Sequence, residues 1–86
     1  MKIKIQFSDK FKRELKKLPK EAKIQLEKKL DYFMLDLSYP SLRIKKIKGS
    51  FFWEMSVNMD IRITFEKEEN YFFFRRIGTH EILKNP

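Results

Sequence analysis

The architecture of the chain can be predicted from residues 51–66, FFWEMSVNMDIRITFE. Apolar and polar residues alternate in both halves of this stretch, which is the period of a β-strand with one buried face. A tight turn at residues 58–60 would fold the two halves into a hairpin. In the second half the isoleucines and Phe65 would face the core. Alternation then places on the opposite face Arg62, Thr64 and Glu66.

Further strands are predicted on either side of this hairpin. Residues 42–48 indicate a strand that ends at the Gly49-Ser50 turn, and residues 71–77 indicate a closing strand after a turn at 68–70. The closing strand is apolar on both sides. Its preferred orientation buries Tyr71, Phe73 and Ile77 and turns outward Phe72, Phe74 and Arg76. Outward phenylalanines there would suggest a surface on which nucleobases stack, although such runs are more often core or covered by a partner.

The first half of the chain predicts one strand and a helical hairpin. The first seven residues alternate like a half-buried strand, and Ser8 is the expected N-cap of a short helix that ends at Leu18-Pro19. A second helix runs from Pro19 to about Asp36. The order β-α-α-β-β-β-β predicts an α+β fold: one mostly antiparallel sheet, with the helical hairpin packed on one face and the other face uncovered.

Size and composition limit what kind of protein this is. A chain of 86 residues predicts a single domain spanning residues 1–86. The absence of cysteine excludes disulfides and thiol nucleophiles, and neither a signal peptide nor a membrane-spanning run is predicted, so we expect a cytoplasmic protein. The net charge of +8 indicates a nucleic acid, an anionic membrane or an acidic protein as partner.

Three side chains form a candidate catalytic site. Arg62 and Arg76 are expected on neighbouring strands of the same face, and His80 follows the closing strand. Two guanidinium groups with a nearby imidazole suit a phosphate that undergoes proton-assisted chemistry. The alternative is structural: Arg62 would pair with Glu54 or Glu66, and His80 would cap a turn.

A second candidate site is the cationic strand before the first hairpin turn. The four cations are Arg43, Lys45, Lys46 and Lys48. Such an edge can follow an RNA backbone. Lysines on an edge strand also discourage sheet-to-sheet association, and both roles can hold together.

The chain resembles the RelE/ParE toxin superfamily in four segments: residues 42–49 (LRIKKIKG), 52–57 (FWEMSV), 60–65 (DIRITF) and 76–80 (RIGTH). Within it, the chain is most similar to the YafQ-like and RelE-like messenger ribonucleases. This resemblance implies the toxin of a type II toxin–antitoxin system, a ribosome-dependent endoribonuclease that cleaves mRNA in the A site. It would use the ribose 2′-oxygen as nucleophile and need no metal and no cofactor.

The resemblance also implies roles for individual residues and a partner. Arg62 and Arg76 would hold the phosphate, His80 would donate or accept a proton, and lysines among residues 45–48 would bind RNA. With one histidine in the chain, the second proton-transfer group would be a carboxylate such as Glu54 or Asp60, or a lysine, or there would be none. An acidic antitoxin would inhibit the toxin.

Two features leave an alternative open. Many ribosome-dependent members stack a C-terminal aromatic residue on the substrate base, whereas residues 81–86, EILKNP, contain none. The ParE branch shares the fold but inhibits gyrase without nuclease activity. The resemblance therefore leaves a gyrase-inhibiting toxin as the alternative function.

Overall fold

The computed structural model describes residues 2–86 and consists of one five-stranded sheet and two α-helices. The elements in chain order are β1 (Lys4–Phe7), α1 (Asp9–Lys16), α2 (Lys20–Leu35), a 3-10 turn (Pro40–Leu42), β2 (Lys45–Lys46), β3 (Trp53–Ser56), β4 (Ile61–Glu68), β5 (Tyr71–Thr79) and a C-terminal 3-10 turn (His80–Lys84). Among these residues, no helix has the length and apolarity needed to cross a membrane.

The helical hairpin forms where it was predicted. Ser8 Oγ accepts a hydrogen bond from Phe11 N at 2.9 Å and therefore caps α1. The same hydroxyl donates to Arg75 O at 2.6 Å, which ties the start of the helix to β5. Helix α2 begins directly after Pro19, whose fixed φ of −62° suits a helix start.

The sheet has the strand order β1-β5-β4-β3-β2. β1 is parallel to β5, and the other three pairings are antiparallel, so the predicted mostly antiparallel α+β fold is confirmed. Both helices lie on one face. Phe33 of α2 packs edge-on against the rings of Phe65, Phe72 and Phe74, and Phe11 of α1 packs against Phe74.

The predicted orientation of the first half of β5 is wrong. Phe72 and Phe74 are buried in the core, whereas Tyr71 is exposed and Phe73 is only half-buried. The cause is a register shift in the β4–β5 pairing: Thr64 pairs with Arg76, but the next residue, Phe65, pairs with Phe74. Residue 75 is thus an extra residue that reverses the alternation, as in a β-bulge. The suggested stacking surface formed by Phe72 and Phe74 does not exist.

The sheet face opposite the helices, called here the open face, is less open than predicted. The C-terminal turn lies across it, with Ile82 buried and Pro86 O accepting a hydrogen bond from the buried Thr64 at 3.0 Å. The strand predicted for residues 42–48 is also shorter, since only Lys45 and Lys46 pair with β3. Arg43, which precedes it, has the left-handed backbone angles φ 51° and ψ 46°.

Candidate functional site

A cleft of about 440 Å³ opens on the open face beside β2, β3 and β4. It is lined by Arg43, Ile44, Lys45, Glu54, Ser56, Arg62, His80 and Leu83. The strand register explains the convergence, because Lys45 pairs with Glu54 and Ser56 pairs with Arg62. Cross-strand partners point to the same side of a sheet, so these side chains share one surface. The cleft therefore combines cations, a carboxylate and an imidazole.

Arg62 is fixed at the inner side of the cleft. Its Nη1 donates to the carbonyl oxygens of Asn58, Met59 and Ile61, at distances of 2.5, 3.2 and 3.3 Å. Its Nε lies 3.9 Å from Glu54 Oε1, and the two side chains are only 13% and 10% exposed. The structural alternative for Arg62, pairing with Glu54, is thus present. Glu66, the other carboxylate considered, pairs with Arg75 instead.

Hydrogen bonds of the Asn58 side chain hold the turn that fixes Arg62. Asn58 Oδ1 accepts from the backbone nitrogens of Asp60 and Ile61 at 2.8 and 2.7 Å, and its Nδ2 donates to Gln25 Oε1 of α2. The carbonyls that bind Arg62 consequently belong to a well-tied turn. A guanidinium held in this way offers a positive charge that needs little reorganisation when an anion binds.

His80 opens the C-terminal turn and lies exposed at the rim of the cleft. The turn begins at Thr79, whose Oγ1 accepts from Glu81 N at 3.4 Å. Its position on the sheet depends on Ile82, which is packed above Gly78, the cross-strand partner of Arg62. Imidazole is the side chain best suited to moving protons near neutral pH, and here it faces the same cleft as Arg62 and Glu54.

Arg76 lies on the same face as Arg62 but outside this cleft. Its Nη2 is 2.7 Å from Glu14 Oε2, and its Nη1 donates to Asn85 O at 3.1 Å. Ile82 occupies the surface above Gly78, so the C-terminal segment intervenes between the two arginines. The expected convergence of Arg62 and Arg76 is therefore not observed, because the C-terminal turn lies between the two side chains and Arg76 pairs with Glu14.

The four predicted RNA-binding cations are all exposed but do not form one group. Arg43 and Lys45 line the cleft. Lys46 pairs with Trp53 and points to the other side of the short β2 strand, and Lys48 belongs to the following turn. The left-handed backbone at Arg43 ends the 3-10 turn directly before the residues that lead into β2.

Some cleft residues had little or no sequence signal. The sequence indicated Glu54 only as an ion-pair partner or a second proton-transfer group, and it did not indicate Ser56 or Leu83 as site residues. The alternation of β3 places Glu54 and Ser56 on the face of Arg62, so the hairpin pattern could have identified both. Leu83 depends on the C-terminal turn, which no periodic pattern indicates. No cluster of three metal-ligating His, Cys, Asp or Glu side chains occurs within residues 2–86.

Three solved structures show the same fold. The chain superimposes on a chain of the E. coli DinJ-YafQ toxin-antitoxin complex with a TM-score of 0.76 and 18% identity, covering 96% of this chain and 98% of that one. For a chain of the RelB-RelE antitoxin-toxin complex of Methanococcus jannaschii, the TM-score is 0.74 and the identity 22%, and the match covers 92% of this chain and 94% of that one. For a chain of the RelE-RelB complex of Pyrococcus horikoshii OT3, the TM-score is 0.72 and the identity 12%, and the match covers 92% of this chain and 96% of that one.

These likenesses extend over nearly the whole chain and confirm the RelE-like fold that the sequence motifs predicted. At identities of 12% to 22%, what these comparisons establish is the fold. A scan of protein-family models finds no match. A search of curated proteins likewise finds none.

Proposed function

We propose that this chain is the toxin of a type II toxin–antitoxin system and acts in the cytoplasm as a metal-independent endoribonuclease on mRNA in the ribosomal A site. The observation that carries the proposal is the cleft in which Arg43, Lys45 and Arg62 meet Glu54 and His80. A carboxylate and an imidazole can supply a base and an acid, and cations beside them can stabilise the charge that develops on the phosphate. The toxin fold supports the same function.

The proposed reaction is attack of a ribose 2′-oxygen on the adjacent phosphorus. A bond forms between the 2′-oxygen and phosphorus, and the bond from phosphorus to the 5′-oxygen breaks. Glu54 accepts the proton of the 2′-hydroxyl, and His80 donates a proton to the departing 5′-oxygen. The products are a 2′,3′-cyclic phosphate and a free 5′-hydroxyl. Atoms and protons balance without any other reactant.

Negative charge grows on the non-bridging phosphate oxygens during this step. Arg62 and Lys45 supply fixed positive charge in the cleft, and Arg62 is already oriented by three backbone carbonyls. Preorganised charge of this kind stabilises the transition state more than it stabilises the substrate. Arg43, Lys46 and Lys48 would bind neighbouring phosphates, since all three are exposed near the same edge.

For Arg76 the geometry supports a different role from the predicted phosphate contact. Its hydrogen bond to Asn85 O ties β5 to the segment that follows His80. We assign it as a positioning residue that holds the C-terminal turn against the sheet. Direct phosphate binding would require Arg76 to leave Glu14, to which it is bound through two nitrogens.

The partner that fits this chain is an acidic antitoxin. A net charge of +8 and an exposed cationic edge favour fast association with an acidic protein. Two of the similar structures are toxins solved with RelB antitoxins. Mixing the chain with an acidic protein encoded beside it should give a tight complex whose association rate falls as salt rises. No association at low salt would contradict the antitoxin proposal.

The test of the nuclease is induction in cells followed by primer extension on two copies of one transcript, one translated and one lacking its start codon. We expect cleavage of the translated copy alone. Intact message in growth-arrested cells would contradict the nuclease. A loss of supercoiling activity of gyrase under the same conditions would instead establish the ParE-type alternative.

A further inference from the structure

The turn between β2 and β3 exposes an aromatic side chain that no other part of the described chain covers. Phe51 is 88% exposed. The next two aromatic residues, Phe52 and Trp53, are each in contact with a cation. The guanidinium of Arg75 lies 4.5 Å from the ring centre of Phe52, and Lys67 Nζ lies 5.3 Å from that of Trp53. Cations of the chain thus already cover the next two aromatic rings, whereas the ring of Phe51 faces solvent.

The other exposed aromatic residues each have a partner. Tyr39 is stacked on Tyr32 with ring centres 4.1 Å apart, and the hydroxyl of Tyr71 hydrogen-bonds to Gln6. Within residues 2–86, no aromatic pair or cation–π contact includes Phe51. Leu35 and Met59 are nearly as exposed as Phe51, but they have no π face.

Hydrogen bonds on both sides fix the backbone that carries Phe51. Ile47 N donates to Phe52 O at 2.9 Å, and Ser50 N donates to Ile47 O at 3.1 Å. Ser50 Oγ also accepts from Phe52 N at 3.1 Å, and Gly49 supplies the left-handed φ of 76° that the turn requires. The ring is therefore presented from a closed turn, and binding there costs little backbone ordering.

The surroundings of Phe51 are cationic and close to the cleft. Lys46 is the last residue of β2, Lys48 belongs to the turn itself, and both are exposed. Phe51 precedes Glu54 by three residues, so their Cα atoms are at most about 11 Å apart even in fully extended chain. One RNA strand could then contact the cleft and this turn at once.

We propose that Phe51 stacks on an unpaired base of single-stranded RNA, while Lys46 and Lys48 bind the phosphates beside that base. Exposed aromatic rings set among cations are the recurring means of holding single strands, because every base has a π face. This inference rests on the proposed function for the identity of the ligand.

The experiment measures binding of the full chain to a short single-stranded RNA whose 2′-hydroxyls are methylated, so that it cannot be cleaved. At fixed salt, Phe51→Leu should weaken binding about 5- to 150-fold, the range for loss of one base–aromatic stack. Phe51→Tyr keeps the π face and should retain affinity. Leu35→Ala, at an exposed apolar residue of α2, is the matched control and should change nothing.

Two further measurements separate stacking from other causes. An RNA of equal length with abasic sites at successive positions should bind wild type and Phe51→Leu equally. The dependence of affinity on salt should have the same slope for both proteins, because no phosphate contact is lost. Urea unfolding should be unchanged by a substitution at so exposed a position.

Equal binding of the base-bearing RNA by wild type and Phe51→Leu would overturn the proposal. A Phe51→Leu variant that loses affinity only for polyglutamate would also overturn it and identify the turn as a site for an acidic protein. Failure of the wild type to bind the RNA at any salt would overturn this inference, whereas the ribosome-dependent function would be contradicted only by intact message in the primer-extension experiment. A wild type that binds through Phe51 but never cleaves message would contradict the nuclease alone.

Discussion

The guanidinium of Arg76 binds the carboxylate of Glu14 through two nitrogens, with Nη2 and Nε lying 2.7 and 3.2 Å from Oε2. The other carboxylate oxygen accepts from the backbone nitrogen of Ile77 at 3.4 Å. β1 ends at Phe7, so its pairing with β5 stops at Phe74, and Glu14 of α1 satisfies the edge beyond that point. One carboxylate thus joins the first helix to the last strand.

This bridge should be visible as a coupling energy. Both side chains are 21% exposed, and paired charges with more than one hydrogen bond are the stronger kind. In a double-mutant cycle of Glu14→Ala and Arg76→Ala, measured by urea unfolding, we expect a coupling of about 1–2 kcal/mol. The exposed pair Glu81–Lys84 is the control and should give less than about 0.5 kcal/mol. Equal couplings for the two pairs would contradict the bridging role.

His80 should matter for cleavage and not for folding. It is exposed, so His80→Ala should leave the urea midpoint unchanged while lowering the rate of message cleavage about 10²- to 10⁴-fold, the usual contribution of an acid or base. Lys84→Ala, on the same turn, is the control for loss of a cation and should retain activity. Primer extension across a dilution series of induced protein measures the rate of message cleavage by both variants. Undiminished toxicity of His80→Ala would favour a binding toxin of the ParE type.

Residues with clear periodicity were predicted well, and the reasons for the failures are local. The alternation of β4 correctly placed Arg62 and Thr64, whereas a single extra residue at position 75 reversed Phe72 and Phe74. Bulges leave no periodic signal, and a strand apolar on both faces offers no internal check.

The candidate site was predicted in part for the same reason. Strand alternation brings Lys45, Glu54 and Arg62 together, and these are local relationships within a meander. The position of Arg76 depends on Glu14, which is 62 residues away in sequence, and on a C-terminal segment without periodicity. Contacts of that range are decided by packing, which sequence patterns do not report.

Arg43 should show opposite effects on stability and on RNA binding. Its left-handed backbone is unfavourable for arginine and natural for glycine. Arg43→Gly should therefore raise the free energy of unfolding by about 0.5–1 kcal/mol while weakening RNA binding, since a cation of the cleft is lost. Arg43→Ala keeps the backbone strain and should weaken RNA binding without stabilising the fold. A destabilised Arg43→Gly variant would contradict this account.

Asp36, the residue that follows α2, should make the stability of the fold depend on pH. Ser38 Oγ and Ser38 N both donate to Asp36 Oδ1, at 2.7 and 2.9 Å, and these hydrogen bonds lower the pKa of Asp36 below its usual value. The stability that they contribute is therefore present above the unfolded-state pKa and is lost as pH falls through the folded-state pKa.

Ser38→Ala removes the hydroxyl donor and should raise the pKa of Asp36 part of the way back, because the backbone donor remains. An NMR titration of the Asp36 carboxyl carbon measures this directly. The variant should be less stable than wild type at neutral pH, and the difference should vanish in acid. Identical titration curves for the two proteins would contradict the role of the hydroxyl.

Gly78 and Ile82 together determine whether the C-terminal turn can lie on the sheet. A Cβ atom on Gly78 would lie 2.9 Å from Cγ2 of Ile82, closer than such atoms approach, and Ile82 is itself buried. Gly78→Ala should therefore cost about 1–3 kcal/mol and speed hydrogen exchange in residues 80–84, because the turn must shift. Since this turn carries His80, message cleavage should fall as well. Ile82→Ala removes the clashing methyl group, so adding Gly78→Ala to that variant should cost less than about 0.5 kcal/mol more. If Gly78→Ala cost the same free energy in wild type and in Ile82→Ala, glycine would be required at position 78 for a reason other than its contact with Ile82.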